Sequence, residues 1–346
     1  MTPGRIPLLH SAAMRPRFAA DYRTLLWVLL APALVALQFA RPALVPYLWW
    51  LSAYFALACG VIAHNHNHCP TFKGKFQNQI FGNWISIFYG YPTFAWIPTH
   101  NLNHHKFVNR AGDATITWRY TNRHNLLVAV SYFFVSSYWQ SDPIKAFIRK
   151  AKAQNPSLYR RIVLQYAVWG GAHIALLALS IALHGLKTGL YVYVMTLLIP
   201  AFFALWTIML FNYDQHVHTD PWSKHNHSRS WDGAILNFML FNNGLHCAHH
   251  ENPGTHWSKL REAHAEIAPL IDPALIEHSL FWYWTREYFL APFVPSLGSK
   301  QIGRAPFDAP DGVPVNITSA DVDVGEAGTN AQMVGSLESQ NVSPAE

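Results

Sequence analysis

Four stretches of the chain are dominated by apolar side chains and carry no charge: Thr24 to Ala40, Pro42 to Ala63, Ile162 to Leu183 and Gly189 to Phe211. About 20 helical residues cross the hydrocarbon core of a bilayer; the first stretch is near the lower limit and the other three exceed it. Only Arg41 divides the first pair, and a turn from Gly185 to Thr188 with the single charge Lys187 divides the second. The pattern predicts an all-α integral membrane protein, its four transmembrane helices (about 24–40, 42–63, 162–183 and 189–211) paired as two hairpins. A cleaved signal peptide fits poorly, because the polar leader is long, no convincing A-x-A cleavage site follows and a second span comes at once.

Three other apolar stretches read differently. Ile80 to Pro98 contains Pro92 and Pro98, which break helices, so a re-entrant or surface-lying course is expected there. Leu126 to Trp139 reads as an interfacial helix. Leu280 to Phe293, with Trp282, Trp284 and Tyr288 beside Arg286 and Glu287, reads as a helix hugging the interface. Residues 299–346 are rich in Gly, Pro, Ser and acidic side chains and are expected to form a disordered tail; residues 24–298 form the membrane domain, and residues 1–23 a polar segment. Between His64 and Arg161 stand twelve Lys or Arg against Asp113 and Asp142, and the first segment carries Arg5, Arg15, Arg17 and Arg23 against Asp21. That bias places both termini and the region between the hairpins in the cytosol, as in a multi-pass protein of a bacterial inner membrane.

Composition agrees. Half the chain is apolar, 14% is aromatic and only 13% is charged, against about 25% charged in soluble domains. The net charge of +6 comes from residues flanking apolar runs, which excludes a nucleic-acid stripe. Cys59, Cys69 and Cys247 have no paired spacing, so neither a disulfide framework nor a thiolate zinc site is indicated.

The candidate chemistry is imidazole. The chain has 20 His in 346 residues, so a given H-x-x-H-H triple is expected roughly 0.07 times by chance. Two triples occur: His100, His104 and His105, and His246, His249 and His250. His64 and His68 add a pair four residues apart, on one face of a helix extending from the second span. Each triple supplies a pair plus a neighbour aimed elsewhere. Eight imidazoles exceed one zinc site and point to two metals. Imidazole suits zinc, copper, iron or nickel; no E-x-x-H or H-E-x-x-H occurs, which removes the carboxylate-bridged di-iron bundle and the zinc metalloprotease.

The set His64-x-x-x-His68, His100-x-x-x-His104-His105 and His246-x-x-His249-His250 resembles the membrane fatty acid desaturase and hydroxylase superfamily, over roughly residues 24 to 290. The resemblance implies a four-span fold with a cytosolic histidine-rich cap and two non-haem irons. It also implies oxygen-dependent attack on an unactivated acyl C–H bond. Acyl-CoA desaturases of that superfamily have an Asn-x-x-x-His element before the third box; Asn212 and His216 match it, so His216 is implied as a ninth imidazole ligand and Asn212 as an iron contact through water. The extra histidines His66, His218, His225 and His227 depart from the pattern. Ala63 to His68 also resembles bacterial members that form terminal alkenes from free fatty acids.

The expected function is therefore a di-iron fatty acyl desaturase using O2, with an acyl hydroxylase or alkene-forming decarboxylase as alternatives on the same site and a histidine-rich metal transporter as the non-enzyme alternative. Transport favours ionisable groups within spans, whereas the boxes lie at or beyond the span ends. The substrate is a fatty acyl chain, as free acid, thioester or lipid. The chain has no nucleotide, haem or cysteine-cluster motif, so electrons must come from an external carrier such as a ferredoxin, rubredoxin or cytochrome b5-like protein. Lys145, Arg149, Lys150 and Lys152 can steer such a carrier or meet an anionic membrane surface. Trp84, Tyr89, Tyr91 and Trp96 are candidates for an acyl tunnel or for interfacial packing. Asp113 and Glu251 can orient imidazoles or cap loops. His173 and His184 have no partners in spacing, and His124, His256, His264 and His278 read as surface or structural.

Overall fold

The structure, a computed structural model, describes residues 15–311. It is mostly helical. Helix α1 (Asp21–Ala40) is followed by α2 (Val45–His68), and the two lie side by side, with Gln38 Nε2 donating to Ser52 Oγ at 2.7 Å. Helix α3 (Lys75–Tyr89) stops after 15 residues, too short to cross a bilayer at 1.5 Å per residue. A turn at Thr93–Ala95 then leads into a π-helical segment, Ile97–His104.

Helix α4 (Leu126–Gln154) and helix α5 (Pro156–Tyr193) start with the same device, an Asn whose side chain accepts the backbone N–H three residues on: Asn125 from Val128 and Asn155 from Leu158. Leu126 to Trp139, expected as an interfacial helix of its own, is the first half of the longer α4. A π-turn at Val194–Leu198 joins α5 to α6 (Ile199–His216). The cap contains α7 (Ala234–Met239), α8 (His246–Glu251), α9 (Leu260–Ile267) and α10 (Leu280–Trp284). Its two short strands, Ser230–Trp231 and Ile276–Glu277, pair in parallel.

Three helical stretches are long and apolar enough to cross a membrane: Asp21–Ala40, Pro42–His68 and the 61-residue Pro156–His216. The last is not straight. Gly185 adopts φ 75°, ψ 169°, a conformation open to glycine, and Ser180 Oγ donates to the Gly189 carbonyl at 2.8 Å. Nine residues of continuous helix would advance about 13.5 Å, so the chain turns back here. A Cβ on Gly189 would meet the Ser180 and Ile181 backbone at 2.5 Å.

Helices α2 and α6 form the centre of the core, where Ala58, Ile62, Ala63, Ala204 and Phe211 are buried. The start of α1 is fastened to the cap. Asp21 accepts from Trp257 Nε1 at 2.9 Å and faces His256 Nε2 at 3.1 Å. The Arg23 guanidinium lies 4.3 Å from the Phe241 ring centroid and 4.7 Å from that of Trp257.

One boundary near the C-terminal end differs from the sequence reading. Residues 299–311, placed there in a disordered tail, pack against the cap: Ile302 N–H donates to the His218 carbonyl at 3.0 Å, Gln301 Nε2 to Thr219 O at 2.7 Å, and Trp222 Nε1 to Ala305 O at 3.1 Å. Hydrogen bonds hold this strip more than apolar burial does, and composition does not register them. Residues 312–346 lie outside the described residues. Helix α10 and the π-turn Thr285–Leu290 after it expose Phe281, Trp282 and Phe289, as an interface helix would, but bury Tyr283 and Tyr288.

Candidate metal centre

Helix α2 continues without a break through His68, which puts His64 and His68 one turn apart on one face. They meet His100, His105 and His249. His64 Nε2 lies 2.9 Å from His100 Nε2 and 3.1 Å from His249 Nε2, and His105 Nε2 lies 3.1 Å from both of these. The His68 ring centroid is 4.8 Å from that of His105 and 4.7 Å from that of His249. A second cluster forms beside it. There His104 Nε2 is 3.1 Å from His216 Nε2 and 3.2 Å from His250 Nε2, while His246 Nε2 is 2.9 Å from His216 and 3.0 Å from His250.

Backbone geometry sorts the boxes. In an α-helix, His100 and His104 would share a face. The segment is π-helical, and the His105 N–H donates to the His100 carbonyl five residues back. A π-turn brings i and i+5 into line, so His100 pairs with His105 and His104 turns to the other cluster. The third box is ordinary α-helix. His246 and His250, four apart on α8, enter the second cluster, and His249 points to the first.

The outer nitrogens fix how the rings present themselves. His104 Nδ1 faces Asp113 Oδ2 at 2.8 Å, His216 Nδ1 faces the His227 carbonyl at 3.1 Å, and His64 Nδ1 faces Asn65 Oδ1 at 3.1 Å. Donation outward from Nδ1 leaves the Nε2 lone pair directed inward. Asp113 is itself held by the Asn109 and Thr115 backbone N–H groups at 2.8 and 2.7 Å, so it both orients an imidazole and caps its loop. Burial is the main force holding His100, His105, His246, His249 and His250 well below the ordinary imidazole range, with repulsion among the rings adding to it. Neutral imidazole is the form that binds metal.

The donor set fits metal ions. Two nitrogens meeting as Nε2 to Nε2 can share one proton, but around a ring of four only alternate pairs can do so. With metal–nitrogen bonds of about 2.1 Å, ligand nitrogens 90–109° apart are about 3.0–3.4 Å from one another, close to the separations here. His64, His68, His100 and His249, and separately His104, His216, His246 and His250, each have ligand atoms within 4.8 Å of one another. His105 joins the first group through its contacts with His100 and His249.

The clusters border a cavity of about 380 Å³, within the usual range for small-molecule sites. His64, His100 and His246 line it at one end, and Leu57, Phe133 and Leu205 line it elsewhere. Leu57 and His64, like Leu205 and Asn212, are seven residues or about 10 Å apart along their helices. Among the described residues, none that lines the cavity is charged. Asn212 also lines it, and its Nδ2 donates to the Tyr132 hydroxyl at 2.9 Å. Tyr89, Tyr91 and Trp96 are on the wall, as a tunnel requires. Trp84 is not; it is 38% exposed and donates to the Val28 carbonyl on α1.

The remaining histidines have other partners. His173 meets Tyr193 OH and the Ile87 carbonyl, His184 the Phe39 carbonyl, His66 Thr71, and His218 the Asn122 and Ser299 carbonyls. The His124 side chain is enclosed between Tyr213 and Tyr283, and His264 is buried, while His278 is exposed beside Asp232. Glu251 does not touch a box imidazole's outer nitrogen; it faces His225 Nδ1 at 2.6 Å. Sequence reasoning missed that His227, Cys247 and Glu251 also converge. The signal was present in the i, i+4 spacing of Cys247 and Glu251.

Two buried all-imidazole clusters border an apolar cavity in a chain with three helical stretches long and apolar enough to cross a membrane, an arrangement compatible with a metal-binding membrane protein. Residues 40–283 match the family model for fatty acid desaturase, and the chain belongs to that family. No curated protein and no solved structure matches it. Membership implies membrane association and a fatty acyl substrate, and the clusters are compatible with iron.

Proposed function

We propose that the protein is an oxygen-dependent di-iron fatty acyl desaturase. The observation that carries this reading is the meeting of two imidazole clusters with an apolar cavity free of charged lining. His64, His68, His100, His105 and His249 would hold one iron, and His104, His216, His246 and His250 the other, with Asn212 alongside. Bound iron would supply the O2-dependent oxidising power for C–H cleavage. In balance, a –CH2–CH2– unit, O2, two electrons and two protons give –CH=CH– and two waters, the electrons arriving from an external carrier of the ferredoxin, rubredoxin or cytochrome b5 class.

The chain's own residues bind, align and shield. Leu57, Phe133 and Leu205 would hold the acyl chain, and Tyr89 and Trp96 would confine it beside His64 and His100. A shift of about 1 Å can change such rates by orders of magnitude, so Asp113, which holds His104, is a positioning residue. Among the described residues no Lys or Arg lines the cavity to hold a carboxylate head group beside the clusters, which favours attack within the hydrocarbon chain over loss of the head group.

The turn at Gly185 supports four crossings in two hairpins, and the excess of Lys and Arg between His64 and Arg161 supports a cytosolic position for the clusters and both termini, in a bacterial inner membrane. Lys145, Arg149 and Lys152 follow one exposed stripe of α4, suited to an acidic carrier.

The test is mass spectrometry of lipids and volatile hydrocarbons from cells expressing the chain or His249→Ala at equal abundance. A new internal double bond lost in the variant is expected. A hydroxylated chain or terminal alkene would replace desaturation with one of the other outcomes, and no difference in an iron-loaded, electron-supplied protein would overturn the acyl substrate.

A further inference from the structure

Helix α8 uses three faces. His246 and His250 serve one cluster and His249 the other, but Cys247 and Glu251, also one turn apart, point to neither. They face His227. Cys247 Sγ lies 3.9 Å from His227 Nε2 and 3.8 Å from Glu251 Oε1, and the three donor atoms all lie within 4.8 Å of one another. His227 Nδ1 meets Ser228 Oγ at 3.0 Å, so a proton on that side leaves Nε2 free to bind. Glu251 is steadied by His225 Nδ1 at 2.6 Å.

We propose that His227, Cys247 and Glu251 form a third metal site, separate from the two imidazole clusters, which takes a borderline divalent cation of the zinc type. One sulfur, one nitrogen and one carboxylate oxygen are the donors zinc accepts, and three protein ligands leave a position for solvent. Tetrahedral ligands about zinc stand about 3.3–3.6 Å apart, so the two sulfur contacts need close by only a few tenths of an ångström, and His227 and Glu251, whose donor atoms lie within 4.8 Å of each other, by at most about 1.4 Å. Cys247 and His227 are buried, whereas the Glu251 and His225 side chains keep 18% and 20% of their surface. The site is therefore open to solvent at its carboxylate side. Binding displaces the thiol proton to solvent and changes no oxidation state. The site also reaches the second cluster, because the His227 and His250 ring centroids are 5.4 Å apart. A cation here would brace the short helix that carries three of the nine cluster imidazoles.

Sulfur makes the site separable from the clusters, which contain none, so the readout does not depend on their holding iron. The full chain in detergent, purified with its cluster metal in place, is titrated with Co2+. A thiolate-to-cobalt charge-transfer absorption that saturates near one equivalent is expected, with Zn2+ abolishing it by competition. Cys247→Ser should lose the band, Cys69→Ser should keep it, and His227→Gln and Glu251→Gln should each weaken Co2+ binding at least about tenfold. Unchanged cluster metal in Cys247→Ser shows that the variant is folded. Absence of the band in the parent chain, or its survival in Cys247→Ser, would overturn the proposal, as would unchanged Co2+ affinity in both His227→Gln and Glu251→Gln.

Discussion

The Nε2 atoms of His100 and His105 lie 3.1 Å apart, while His104, adjacent in sequence to His105, belongs to the other cluster. The π-turn thus divides one histidine box between the two clusters. Replacing His105 with Ala should remove metal from the cluster of His64 and His249 and leave that of His216 and His246 loaded; His104→Ala should do the reverse. Elemental analysis of iron, which leaves the zinc-type site out of the count, should fall from about two per chain to about one in each case. Retention of both in His105→Ala would mean that its nitrogen is not a ligand.

Asp113 is fully buried against His104. Asp113→Asn keeps the shape but weakens the outward hold on the imidazole, and loss of such a partner typically costs 10–100-fold in metal affinity or activity. Chelator competition should show a loss of about that size, confined to one of the two metals. Equal loss from both would point to a general disturbance of the loop.

Leu205 and Leu57 face the cavity away from the imidazoles. Leu205→Trp should shorten the usable space, and a methylene that no longer fits costs about tenfold or more in kcat/KM. Product analysis with acyl chains of graded length should move toward shorter substrates. A chain-length profile identical to that of the parent protein would place the acyl path elsewhere.

His227 is pushed down to about 4 from its ordinary 6.5, mainly by burial, and five box imidazoles outside the spans are also lowered. Unfolded imidazoles take up protons near pH 6.5; the folded chain resists doing so. Stability is therefore fully present above about pH 6.5 and falls as the pH drops toward 4. The thermal midpoint of metal-stripped protein should decline through that window, and a flat profile would contradict neutral burial of these rings.

Much of this was legible in the sequence. Charge-free runs of 22 and 23 residues and the spacing of His64 with His68 follow from helix geometry alone, and the structure places these segments in helices. Pairing within the second box was not legible, because a π-turn is set by how Ile97–His104 packs and not by residue type. For Trp84 the sequence allows both a tunnel wall and interfacial packing, because apolarity identifies a buried or membrane-facing side chain but not which surface it meets; the structure places it on the half-exposed surface against α1. The 299–311 strip shows the converse error, a polar segment ordered by specific hydrogen bonds.

One six-residue helix holds His249 in the first cluster and His246 and His250 in the second. The two centres are consequently not interchangeable modules. A graft or loop exchange that carries Asn242–Glu251 into a related chain transfers ligands for both at once, and no swap of this segment can retune one centre while sparing its neighbour.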